Sequence, residues 1–87
     1  RIKMEVVYDI LKIISDNHNN IKITPLIRYS GISPQSFSRY YVELLNKRFI
    51  IEEKDESNNK YIKLTDRGIN YLKEYGIVLK FIKEFEL

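Results

Sequence analysis

Ser33-Pro34-Gln35-Ser36-Phe37-Ser38-Arg39-Tyr40-Tyr41-Val42-Glu43-Leu44-Leu45-Asn46-Lys47 opens as a helix opens. The Ser33 hydroxyl can accept from the exposed N–H groups of a first turn, and Pro34 suits the first helical position, where its missing donor costs nothing. At helical spacing Phe37, Tyr40, Tyr41, Leu44 and Leu45 fall on one side. Gln35, Ser36, Arg39, Asn46 and Lys47 fall on the other side or its flanks, and Glu43 is the only acid in the stretch. One face can pack on a core while the other holds out hydrogen-bonding side chains. Gln and Arg make two-pronged contacts to adenine and guanine edges. A short helix of this kind, preceded by another and by a tight turn at Gly31, reads as the recognition helix of a helix-turn-helix.

Upstream, Ser30-Gly31-Ile32 forms the turn, with Gly31 suited to a positive φ and Ile32 anchoring it to the core. Thr24-Pro25 repeats the cap-then-proline start and predicts a helix from Pro25 to about Tyr29, with Leu26, Ile27 and Tyr29 facing inward. Ile21-Lys22-Ile23 is too short to stand alone and is expected to pair with a later hairpin. Asp16-Asn17-His18-Asn19-Asn20 is a turn, with His18 a solvated residue lacking any partner ligand. It ends a first helix over about Lys3 to Asp16, whose buried stripe is read as Met4, Val7, Ile10, Leu11 and Ile14.

Downstream, Arg48–Lys54 and Lys60–Leu64 are rich in β-branched and aromatic residues and flank the polar turn Asp55–Asn59, which predicts a β-hairpin. By the two-residue period Ile50 and Ile62 lie opposite in face to Ile51, Glu53, Tyr61 and Lys63. Thr65-Asp66 then caps a last helix running to about Glu86. Its apolar spine, Tyr71, Tyr75, Val78, Ile82 and Phe85, steps by alternating fours and threes, the spacing of a coiled coil. A small domain cannot bury so long an apolar stripe alone, so the part beyond Tyr75 should project and form the interface of a two-fold homodimer. The plainer reading folds this helix back on the first one, and Gly76 counts against a long stiff helix.

The chain has 87 residues, enough for one modest core, and its 31% charged residues fit a globular rather than a disordered chain. Absence of cysteine excludes disulfides and thiolate metal sites, and the single histidine excludes a multi-histidine site. No nucleophile–base pair or Gly-rich phosphate loop is present, so no enzyme and no cofactor are expected. No apolar run approaches a membrane span and the first residues lack a signal-peptide pattern, so the expected location is cytoplasmic. The sequence begins at Arg1 and not at Met, which leaves open whether residues precede it. A net charge of +3 permits nucleic-acid binding without demonstrating it.

The order helix, short strand, helix, helix, strand, wing, strand, long helix is that of an α+β winged helix-turn-helix, mainly α with a small hairpin. Two stretches sharpen the likeness: Gly31-Ile32-Ser33 through Arg39-Tyr40 to Leu44-Leu45 and Phe49-Ile50, and Tyr61-Ile62-Lys63-Leu64-Thr65-Asp66-Arg67-Gly68. Together they resemble the archaeal winged-helix DNA-binding proteins of about ten kilodaltons and their viral and MarR-like relatives. The resemblance covers nearly the whole chain. It implies double-stranded DNA as ligand and a homodimer joined through the last helix, often as an antiparallel coiled coil, in which residues 1–65 bind DNA and residues 66–87 dimerise. It also implies a role in transcription regulation or chromatin and, for an archaeal source, a place on the nucleoid.

On that reading Gln35, Ser36 and Arg39 meet base edges. Thr24, Arg28, Ser33, Asn46, Lys47, Lys60 and Lys63 meet the DNA backbone, with Thr24 and Ser33 at helix N-termini, where free N–H groups favour an anion. The rival is a winged-helix protein-interaction module acting through the apolar last helix. Its best support is the acid near the hairpin tip: Glu52, Glu53, Asp55 and Glu56.

Overall fold

A stripe of five apolar side chains organises the first helix, α1 (Lys3–Asp16): Val6, Val7, Ile10, Leu11 and Ile14 are buried. The computed structural model describes residues 1–87. Four of those five were legible as the stripe; the fifth was not Met4, which is 58% exposed, but Val6. The stripe leaves the centre of the helix toward Val6, and Met4 turns instead toward the last helix.

Asn17, His18 and Asn19 close α1, with His18 and Asn19 at φ 62° and 55°. Ile21 exchanges two backbone hydrogen bonds with Ile62, N to O at 3.2 and 2.7 Å, so of the expected triplet Ile21 alone pairs with the hairpin, while Lys22 and Ile23 go to the start of α2.

The second helix, α2 (Ile23–Ser30), begins two residues before the expected Pro25. Lys22 occupies the cap position and offers no side-chain bond; its carbonyl accepts from Leu26 N. Thr24 therefore lies inside the first turn and is not the cap. The reason is Ile23, which packs against the core and draws the helix start back with it. Tyr29, expected inside, is 54% exposed, because Leu26 and Ser30 take the buried face. Gly31 caps the helix in the left-handed region at φ 68°, where a residue with a Cβ is strained.

The third helix, α3 (Pro34–Asn46), starts as its sequence dictates: Ser33 Oγ accepts from Ser36 N at 3.3 Å with Pro34 in the first turn. Phe37 and Leu44 are buried, and Tyr40, Tyr41 and Leu45 pack around them. The chain leaves α3 through Arg48, at φ 60°, so the first hairpin strand begins at Ile50 and not at Arg48.

Strands β1 (Ile50–Lys54) and β2 (Lys60–Leu64) pair antiparallel, Ile50 with Leu64 through Lys54 with Lys60. Ile50, Ile62 and Leu64 face the core, while Ile51 is exposed, as the alternation requires. Asp55 fixes the turn by accepting from the backbone N–H groups of Ser57 and Asn59, both at 2.9 Å. Asn19 Oδ1 accepts from Leu64 N at 2.7 Å and ties the hairpin base to the end of α1.

Thr65 Oγ1 accepts from Gly68 N at 3.1 Å and starts the last helix, α4 (Asp66–Glu84), which continues unbroken through Gly76. The start of α4 is locked onto the α3–β1 junction: Thr65 donates from its hydroxyl to Arg48 O at 2.6 Å and from its N–H to Phe49 O at 3.1 Å. Tyr71 and Leu72 complete the core edge, and no helix is long and apolar enough to cross a membrane. The result is a four-helix, two-stranded α+β fold.

Candidate nucleic-acid interface

The outward face of α3 carries Gln35, Ser38, Arg39, Val42 and Asn46, all exposed. Ser36 is half-buried, and its backbone N–H is engaged by Ser33. Its side chain shares a shallow hollow with Arg39, Tyr40, Glu43 and Lys3 of α1, so the structure brings Ser36 and Arg39 together. Gln35 lies beside Arg39 one turn away. Arg39 enters no ion pair and stands as a cation open to solvent.

Glu43, the only acid of α3, is neutralised from two sides: Lys3 Nζ approaches it at 2.6 Å and Lys47 Nζ at 3.4 Å. The hydrogen bond from Lys3, joined by that from Lys47 and opposed by desolvation, holds its carboxyl below the usual range. Two ammonium groups around one carboxylate leave the cluster positive, so this acid does not oppose a polyanion. Lys47 is nonetheless partly committed to it, and Asn46 beside it is exposed with no such tie.

On α2, Thr24 and Arg28 are both exposed, and the Arg28 guanidinium lies 5.2 Å from the centre of the Tyr29 ring. This stacking gives the exposed Tyr29 a role that its burial would not have supplied. Ser33 is exposed and serves α3 as its cap.

The wing differs electrically. Lys60 pairs with Glu52 at 3.4 Å and Lys63 with Glu53 at 3.1 Å, both diagonally across the strands. Glu52 also accepts from the Tyr41 hydroxyl of α3. That bond first, and Lys60 after it, lower the Glu52 carboxyl, while burial and the same bond push the Tyr41 phenol up. Four carboxylates stand against three lysines in the hairpin and its turn. The positive potential therefore belongs to α3 and its flanks rather than to the wing.

Two flanking cations escaped the sequence reading. Arg48, exposed at the α3–β1 junction, stands between the helix and the wing; a basic residue directly after a helix, ahead of a strand, was the available signal. Lys22 lies 5.6 Å from the centre of the Tyr61 ring, which couples the α2 start to the wing.

The other set expected to act, on α4, divides in two. Tyr71 donates its hydroxyl to Met4 O at 2.8 Å, and Tyr75 packs edge-on against Tyr8 with ring centres 5.2 Å apart. Both are thus held by α1. Val78, Ile82 and Phe85 are 50, 37 and 59% exposed and face an apolar groove or solvent without an intrachain partner element.

The arrangement now has a match. A family model described as winged helix-turn-helix covers residues 1–83. The chain belongs to the winged helix-turn-helix family. Its fold is similar to that of Sso10a-2, a DNA-binding protein from Sulfolobus solfataricus, with a TM-score of 0.78 at 20% identity over 99% of this chain and 86% of that one. It is also similar to F93 from STIV, a winged-helix DNA-binding protein, with a TM-score of 0.79 at 20% identity over 92% of each chain. No curated protein sequence matches it. Within the winged-helix frame α2 and α3 form the helix-turn-helix, β1 and β2 form the wing, and Leu64-Thr65-Asp66-Arg67-Gly68 is the joint at which the last helix is attached.

Proposed function

We propose that this winged-helix chain is a dimeric double-stranded DNA-binding protein, a transcriptional regulator or chromatin-type protein, that inserts α3 into the major groove. The observation that carries the reading is the outer face of α3. There an arginine with no acidic partner stands among amide and hydroxyl side chains, while the helix's one carboxylate is neutralised by two lysines. Major-groove edges are read by such groups. The two similar structures, both described as DNA-binding proteins, support the same ligand.

Gln35, Ser36 and Arg39 are assigned to base edges. Thr24, Arg28, Ser33, Asn46 and Lys47 are assigned to backbone phosphate. Lys60 and Lys63 join them only by exchanging a surface carboxylate for a phosphate; an exposed ion pair holds by no more than about 1 kcal/mol, so the exchange is cheap. Residues 1–65 form the DNA-binding unit and residues 66–87 the dimerisation element, joined through Val78, Ile82 and Phe85, since Tyr71 and Tyr75 of the expected spine are taken up by α1. A cytoplasmic, DNA-associated location follows from this reading.

The test is fluorescence anisotropy with a mixed-sequence duplex pool across a salt series, with light-scattering mass on the same sample. A dimer whose log K falls steeply with log salt, by about 0.9 for each phosphate neutralised, is the expected result. Absence of binding at low salt refutes the proposal. It would favour instead a protein-interaction module, the reading to which the acidic wing and exposed α4 lend support.

A further inference from the structure

Val42 stands at the middle of the α3 outer face and is 55% exposed, although Phe37, Leu44 and Tyr41 on the opposite side fill the core. Its neighbours on the helix surface are Arg39, Ser38 and Asn46, three or four residues away and all exposed. A β-branched apolar residue gains nothing there from packing and is a mediocre helix former. The same face presents Gln35, Arg39 and Val42 at spacings of four and three, a line of two turns such as major-groove helices present to base edges.

Apolar side chains on such a face have one complementary feature in the major groove, the 5-methyl group of thymine. We propose that Val42 reads a thymine methyl, and so makes this chain prefer thymine at a fixed place next to the base read by Arg39. The inference rests on the DNA-binding reading above and adds a specificity-determining residue to it. The spacing sets the place. Arg39 and Val42 are separated by about 4.5 Å along the helix axis, three steps of 1.5 Å, and successive bases by about 3.4 Å. The thymine therefore lies one or two base pairs from the guanine that suits Arg39.

The experiment begins by selecting a preferred duplex from a random pool, then replaces each thymine in turn by deoxyuridine, which deletes the methyl and leaves every hydrogen-bonding group in place. For the wild-type protein one position in each half-site is expected to show a loss of about fourfold in affinity, the equivalent of one buried methyl at ~0.8 kcal/mol. Val42→Ala is expected to bind the thymine duplex more weakly, and to lose the difference between thymine and uracil at that position alone. Val42→Thr, which unlike alanine keeps a γ-methyl, is expected to restore part of it. Position 42 is exposed, so far-UV circular dichroism should match the wild type for both variants.

An enriched site whose affinity no uracil replacement changes overturns the Val42 assignment and leaves DNA binding standing. So does an equal uracil effect in wild type and Val42→Ala. Salt-dependent binding without any enriched sequence overturns the assignment in the same way. Absence of binding to any duplex overturns both it and the reading beneath it.

Discussion

Replacing Gly68 by Ala tests the joint between the wing and the last helix. Helix propensity alone predicts a gain of about 1 kcal/mol, since Ala is the better helical residue. The structure predicts the opposite sign. A Cβ at Gly68 would lie 2.2 Å from Phe49 O and 3.2 Å from Phe49 C, both backbone atoms, with Leu64 Cδ2 at 3.4 Å. Restoring an ordinary contact moves the start of α4 outward by about 1 Å, and overpacking of this kind typically costs about 1–3 kcal/mol. The carbonyl cannot swing aside, because Thr65 N donates to it at 3.1 Å, next to the bond from Thr65 Oγ1 to Arg48 O. Weakening both bonds adds about 1 kcal/mol for each one lost.

After the propensity gain, Gly68→Ala should destabilise by about 2–3 kcal/mol. Gly76→Ala supplies the control: nothing lies within 4 Å of its would-be Cβ, in the same helix. It should stabilise by about 0.5–1 kcal/mol. Urea unfolding followed by circular dichroism, with all three proteins at one protomer concentration, gives both differences. A Gly68→Ala protein as stable as wild type would refute the argument that this close approach fixes α4.

Three further outcomes follow from the geometry. Arg39→Ala should lose preference for the selected site more than total DNA affinity; equal loss on all sequences, measured by competition anisotropy, would move Arg39 to phosphate. Val78→Glu together with Ile82→Glu should give a monomer in light scattering without changing the helix content of residues 1–65, and an unchanged dimer mass would remove the α4 interface. Glu52 is held below its usual range by Tyr41 first and Lys60 second. A carboxylate depressed in the fold stabilises above its unfolded value, about 4.3, and that contribution disappears as pH falls through the lower folded one. Tyr41→Phe should therefore flatten the acid limb of stability below about pH 4.5, and an identical acid limb in both proteins would show that the bond carries no stability.

Much of the fold was legible because its signals are local. Ser33-Pro34, Gly31 and Thr65-Asp66 each specify a turn or a cap within four residues, and Ser33 and Thr65 do accept the expected N–H bonds. The pairing of Ile21 with the hairpin was legible because a lone β-branched residue beside a turn has little else to do; Ile23 of the same triplet was not, since it starts α2. What escaped depends on neighbours distant in sequence. Val6 and Met4 sit in one amphipathic turn; Val6 enters the core, and Met4 lines the groove beside α4. The α2 start moved because Ile23 finds a core contact that its own sequence does not announce. Among the proposed contacts, the offsetting of the Glu43 carboxylate's charge rests on Lys3 from α1, and the occupation of Lys60 and Lys63 rests on strand register. Both follow from assembly, which a count of charges along the chain does not reveal.

The lock between Thr65 and the Arg48–Phe49 junction also makes α4 a lever arm. It is anchored at the junction that follows α3, so its starting angle is set close to the end of that helix. At 19 residues, α4 extends about 28 Å from that pivot. A 10° error of angle at the pivot thus displaces its far end by about 5 Å, more than the 3.4 Å between adjacent base pairs. In a two-fold assembly built on α4, the angular stiffness of that joint, together with the hold of α1 on Tyr71 and Tyr75, would set the phasing of two half-sites along the duplex.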